Sequence, residues 1–319
     1  MSATVRVYVG REIADYGFGN GHPFGPHRMD AFWNEARRRG LDRQVEIGKP
    51  VAATREVIEL FHTPEYVAQV IRQSRTGEGL LDYGDTPAFK GVYEAASHVV
   101  GSTVDGTEAI MKKLCRRVFV PIAGLHHARP ERAGGFCVFN DVGVAIGVLR
   151  RDWGLERIAY VDIDAHHGDG VFYAFESDPE VFIADIHEDG RFLYPGTGHS
   201  RETGEGEAQG TKLNIPMMPG ANQEDFLQAW EAVEKFIRAT EPEFIFLQVG
   251  ADSIAGDPIT HLGFTAKAHG HAAERLTLLA EELGHGRIVG VGGGGYNVTN
   301  IGHGWSEVVE AFVRVPVTP

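Results

Sequence analysis

The chain has 319 residues, 43% of them apolar, enough to bury a substantial core as one large α/β domain or two small ones. Its formal charge of −14, from 44 acidic and 30 basic residues, argues against phosphate-mediated binding of nucleic acid and is permissive for cationic substrates. Neither end carries a charged-then-apolar signal segment, no apolar run is long enough to span a bilayer, and two cysteines, Cys115 and Cys137, are too few for a disulfide framework; a cytoplasmic protein without membrane attachment is expected.

In chain order, a strand is expected over Val5 to Val9, followed by helix-period segments over Thr54 to Arg72 and Phe89 to Leu114. A strand over Arg117 to Ile122, a helix over Asn140 to Arg150, and strands over Arg157 to Asp162 and Val181 to Ile186 come next. The remainder reads as a helix over Gln223 to Ala239, a strand over Glu243 to Val249, a helix over Thr265 to Leu283 and a strand over Arg287 to Val291. Strands separated by helices imply βαβ units and a mostly parallel sheet covered on both faces, with functional groups collected at the carboxyl edge. The Gly-rich, charged stretch His187 to Gly210 reads as a surface loop at the site.

Four of these strands end in polar clusters that such a sheet would bring together: Gly124-Leu-His-His-Ala128, Asp162-Ile-Asp-Ala-His-His-Gly-Asp-Gly170, Gly250-Ala-Asp-Ser253 and Gly292-Gly-Gly-Gly-Tyr-Asn297. Asp162, Asp164 and His166 follow one another at a spacing of two, which in an extended chain points all three to one side. An Asp-x-Asp by itself is more simply an acidic turn whose carboxylates cap backbone amides. With His166, His167 and the helix-opening Gly168-Asp169-Gly170 beside it, a divalent metal is the stronger reading: Zn²⁺ first, with Fe²⁺ or Co²⁺ on the same ligands. The four glycines lack the Lys-Ser/Thr of a phosphate loop, so they are read as admitting close backbone approach and positive φ.

Together with His22-Pro23, Pro26-His27-Arg28, the GFCVFND segment at Gly135 and the YPGTG segment at Tyr194, these clusters resemble the zinc-dependent histone deacetylase family, including its bacterial acetoin utilisation and acetylpolyamine amidohydrolase relatives. The resemblance implies one deacetylase domain over residues 1–319 with the arginase/deacetylase-like fold, a central, mostly parallel sheet of about eight strands flanked by helices. It makes Asp164, His166 and Asp252 the zinc ligands, His127 the general base and acid, and His126 its charged neighbour. Asp162 becomes the partner of His126 and Asp169 that of His127, and Tyr296 the donor to the oxyanion. Gly135, Phe136 and Tyr194 would line an acyl-lysine tunnel, with Asp85 and Ile259 at its rim; Asp85 reads equally well as an ordinary turn residue. A structural K⁺ is implied at Asp162, Asp164, His166, Asp185 and Ile186, although the family often places serine where Asp185 stands. His22, His27 and His62 are assigned surface or core roles.

The expected activity is hydrolytic removal of acetyl groups from N-acetylated primary amines, such as acetyl-lysine side chains. The first alternative is deacetylation of small acetylpolyamines, which Tyr194 and the acidic balance favour and the uncharged Ile259 opposes. An arginase-like dinuclear hydrolase and a catalytically silent acetyl-amine binding protein rank lower. The oligomeric state is left open, a homodimer included.

Overall fold

Eight parallel strands form one sheet in the order β2-β1-β3-β8-β7-β4-β5-β6 in the computed structural model, which describes residues 4–19 and 21–317. They are β1 Val5–Tyr8, β2 Glu46–Gly48, β3 Arg117–Val120, β4 Ile158–Asp162, β5 Val181–Glu188, β6 Lys212–Met217, β7 Phe244–Gln248 and β8 Ile288–Val291. The helices are α1 Arg11–Ala14, α2 His27–Arg38, α3 Arg55–Ile58, α4 Pro64–Thr76, α5 Val92–Met111, α6 Asp141–Trp153, α7 Asp169–Ala174, α8 Gln223–Thr240, α9 Ala266–Glu282 and α10 Val298–Arg314. The expected span of 1–319 reaches past the described residues at both ends.

Every residue of β3, β4, β7 and β8 is buried, as continuous apolar runs covered on both faces require. One group of helices packs α5 against α4 and α6; a second packs α10 against α2 and α9. Strand pairing puts Val120, Val291, Gln248, Asp162 and Asp185 level across the sheet. The order also reverses direction: β3 and β4, consecutive in the chain, are separated by β8 and β7. Ligand sites form at the carboxyl edge beside such a switch point, and all four polar clusters leave from there.

The expected strands are present with ends trimmed by one or two residues, except β5, which continues to Glu188 into the segment read as loop. Edge strands β2 and β6 were not expected; β2 has three residues, and β6 contains Pro216, tolerated because it lies at the sheet edge. The expected helix over Thr54 to Arg72 is two helices, because Thr63 caps the second by accepting from the Tyr66 amide, with Pro64 in its first turn. Helices α2 and α10 were also unassigned. Glycines and polar residues interrupt α10, yet Ile301, Trp305, Val308 and Phe312 bury one stripe behind the Asn297 cap. Cys115 and Cys137 are buried and free, and among the described residues no helix is long and apolar enough to cross a membrane.

Candidate active site

Beyond Asp162 the chain does not stay extended. The Asp162 carboxylate accepts from the Asp164 amide (3.0 Å), and the Asp164 carboxylate from the His166 amide (2.9 Å), so the acidic turn exists and folds the segment back over the sheet edge. That turn separates the three residues expected on one side. Asp164 and His166 meet Asp252, which sits in a 3₁₀ turn after β7, while Asp162 turns to His126 and to the Tyr160 hydroxyl.

One ligand atom from each of Asp164, His166 and Asp252 lies within 4.8 Å of the others, and all three residues are buried. His166 Nδ1 is 3.0 Å from Asp164 Oδ1 and 3.2 Å from Asp252 Oδ2, and Asp252 Oδ2 is buried with no hydrogen bond among the described residues. Burial and the neighbouring Asp164 charge push the Asp252 carboxyl up to about 7; burial would lower His166, but the two carboxylates raise it to about 10. Two buried carboxylates and an imidazole aimed at one point, with an orphaned oxygen, fit a divalent cation that would supply the missing charge. A side chain at Gly294 would place its Cβ 2.0 Å from Asp252 Oδ2, so only glycine lets the backbone close over the group. Gln248 was not singled out from sequence; its Nε2 donates to Asp164 Oδ2 (2.9 Å) and its Oε1 accepts from the Gly250 amide (2.7 Å).

The tandem histidines leave β3 on a loop held by Asp141, whose buried carboxylate accepts from the amides of Gly124 and Leu125. His126 Nδ1 lies 2.7 Å from Asp162 Oδ2, and His127 Nδ1 2.7 Å from Asp169 Oδ1. Both rings are buried, which favours the neutral form, yet Asp162 and Asp164 raise His126 to about 9. His127 falls to about 4, because burial is reinforced by the charge on His126. His62 is buried, accepting from the Asn140 amide (2.8 Å); His27 is exposed.

Gly293 and Gly295 carry φ of +68° and +121°, and the loop they shape delivers Tyr296, whose ring meets Phe24 and Phe136 edge-on. Arg28, present in the sequence motif but given no role there, is fully buried and donates to the carbonyls of Gly295 (2.9 Å) and Gly293 (2.6 Å). Asp257 accepts from the Tyr296 and Ile259 amides, tying the glycine loop to the rim. A buried cation between chain segments leaves no local pattern in sequence, so only the motif around Arg28 could have signalled it.

A cavity of about 200 Å³ reaches from the surface to this cluster, lined by Gly135, Phe136, Tyr194, Asp85, Ile259, both tandem histidines and Tyr296. The Tyr194 ring stands edge-on to His127 at 5.0 Å, and His22 packs behind Phe136 at 4.4 Å. Ile259 and Tyr194 are exposed at the mouth. Asp85 lines the cavity and also belongs to a turn, where Asp82 accepts from the Gly84 and Thr86 amides. Asp185 and Ile186 lie buried in β5, and the two Asp185 oxygens engage the Gly168 amide (2.9 Å) and His187 Nδ1 (2.7 Å).

A family model described as Histone deacetylase domain matches residues 22–312. The chain is 34% identical to acetoin utilization protein AcuC of Bacillus subtilis over 94% of its own length and 78% of that protein's. It is 31% identical to AcuC of Staphylococcus xylosus over 98% of this chain and 83% of the relative. For histone deacetylase HDAC1 of Drosophila melanogaster the identity is 32%, over 98% of this chain and 60% of the relative.

Proposed function

Because the chain belongs to the histone deacetylase family and its sheet is that of the arginase/deacetylase α/β fold, we propose that it is a zinc-dependent hydrolase removing acetyl groups from N-acetylated primary amines, acetyl-lysine side chains among them. The observation that carries this reading is one cavity whose lining includes Asp164, His166, Asp252, His126, His127 and Tyr296.

Asp164, His166 and Asp252 would hold the ion, Zn²⁺ or alternatively Fe²⁺ or Co²⁺. When bound, it polarises the acetyl carbonyl and lowers the pKa of a water. His127, neutral and held through Nδ1 by Asp169, takes the proton of the attacking water at Nε2 and returns it to the leaving nitrogen. His126, kept charged by Asp162, favours the negative charge that develops beside it. The Tyr296 hydroxyl is held neutral, its pKa well above the usual phenol value through burial and then the Asp252 charge, and donates to the oxyanion. Phe136 and Tyr194 flank the acyl chain and exclude water. A structural K⁺ is proposed at the segment of Asp162, Asp164, His166, Asp185 and Ile186, where Asp185 brings a charge in place of a hydroxyl.

A second reading, small acetylpolyamines as substrates, is favoured by the carboxylate of Asp85 in the cavity lining and opposed by the uncharged Ile259. An arginase-like centre or a silent binding protein fits less well, since His126, His127 and Tyr296 complete a deacetylation apparatus. The test is acetate release by zinc-loaded protein from acetyl-lysine peptides and from acetylated polyamines. Comparable turnover of both supports the broad reading. A preference of roughly a hundred-fold for one polyamine, about 2.7 kcal/mol, replaces it with the second, and no turnover of either defeats both.

A further inference from the structure

We propose that Arg129 is a positioning residue for this deacetylation, fixing the carboxylate of Asp169 and, through it, the imidazole of His127; the inference rests on the functional reading above.

Asp169 opens α7 with its side chain 7% exposed, and its two oxygens have different partners. Oδ1 takes His127 Nδ1 at 2.7 Å, while Oδ2 accepts from Arg129 Nη2 at 2.8 Å and Nε at 3.2 Å. A buried carboxylate with one oxygen unpartnered is costly, and it relieves the cost by rotating or by binding a proton. Either response changes the line along which the His127 ring is held. Arg129 removes both options by occupying Oδ2 with two nitrogens of one planar group, which a lysine ammonium does not reproduce.

Arg129 is itself anchored. Its backbone exchanges hydrogen bonds with Arg132 at 2.9 and 3.3 Å, and its guanidinium lies 4.7 Å over the Tyr173 ring. The Tyr173 hydroxyl donates to Glu202 (2.8 Å), which also accepts from the His199 amide (2.9 Å). Contacts therefore run from His127 through Asp169, Arg129 and Tyr173 into the loop that carries Tyr194. Exposed ion pairs contribute little, but here the acid is buried and the arginine side chain only 26% exposed.

The test compares zinc-loaded wild type, Arg129→Ala, Arg129→Lys, Asp169→Ala and the Arg129→Ala/Asp169→Ala double variant for kcat, KM, zinc content and melting temperature. Arg129→Ala is expected to lower kcat by about ten- to a hundred-fold, the range typical of residues that orient a ligand or base, with KM within about two-fold and zinc retained. Arg129→Lys should fall between, and Arg129→Ala should add nothing once Asp169 is gone. An unchanged kcat, a loss confined to KM, or an equal loss in the Asp169→Ala background would overturn the proposal. Should Arg129→Ala fail to fold, Arg129→Gln, which keeps one donor, carries the same expectations. A wild type inactive on every acetyl amine defeats the functional reading as well, whereas an active wild type indifferent to Arg129 defeats only this inference.

Discussion

The Nε2 atoms of His126 and His127 face each other at 3.1 Å, while their Nδ1 atoms diverge onto different carboxylates, Asp162 and Asp169. Only one proton fits between the two Nε2 atoms. The charge environment gives it to His126 and keeps His127 neutral, so in the proposed reaction His127 is the base once its Nε2 exchanges this contact for the attacking water. His127→Ala is therefore expected to lose about a hundred- to ten-thousand-fold in kcat while keeping its zinc. A far larger loss in His126→Ala than in His127→Ala, measured on the same substrate, would reverse the assignment.

Tyr296 is held by backbone contacts: its amide donates to Asp257, and its hydroxyl has no protein partner among the described residues. That leaves the phenol free for a charge present only in the transition state. Removing one such donor typically costs about 2.7–4 kcal/mol, so Tyr296→Phe should lower kcat by roughly a hundred-fold or more with KM little changed. An effect on KM alone would assign Tyr296 to substrate binding.

Metal removal has two readouts. Chelation should abolish acetate release, and the melting temperature should fall, because the ion binds only the folded site; at a free concentration a hundred times Kd this linkage is about 2.7 kcal/mol. Asp252→Ala should lose both the bound zinc and the zinc-dependent rise in melting temperature. Full activity in metal-stripped protein would sink the assignment of Asp164, His166 and Asp252.

At the mouth, desolvation and the neighbouring Asp82 carboxylate push the Asp85 carboxyl up to about 6. Above that pH the group is an anion, and below it is neutral. For an acetylated amine carrying a second ammonium, KM should therefore rise as pH falls through about 6, and it should do so less for a neutral substrate. Asp85→Asn should remove the difference between the two substrates. A pH profile of KM identical in wild type and variant would exclude Asp85 from substrate contact.

Much of this was legible in the chain. The runs Ile158 to Asp162 and Phe244 to Gln248 read as strands because burial on both faces demands unbroken apolar sequence. The candidate residues Asp164, His166, Asp252, His126, His127 and Tyr296 stood out in polar clusters at strand ends, and the family resemblance of those motifs suggested their roles. Less legible were β6, whose polar and proline residues are admitted by an edge position, and α10, where glycines and polar residues in the opening turns obscure an otherwise continuous stripe.

The sequence by itself determined the α/β class, from the alternation of strands and helices, and pointed to the candidate residues through motifs that resemble the family's. Tertiary structure decided the pairings. That Arg28 holds the glycine carbonyls and that Arg129 shares Asp169 with His127 depend on where the chain turns, as does the departure of Asp162 from the side of Asp164 and His166. The two new pairs are 267 and 40 residues apart, and a hydrogen bond over such a separation is set by packing of the whole sheet, on which no short stretch of sequence reports.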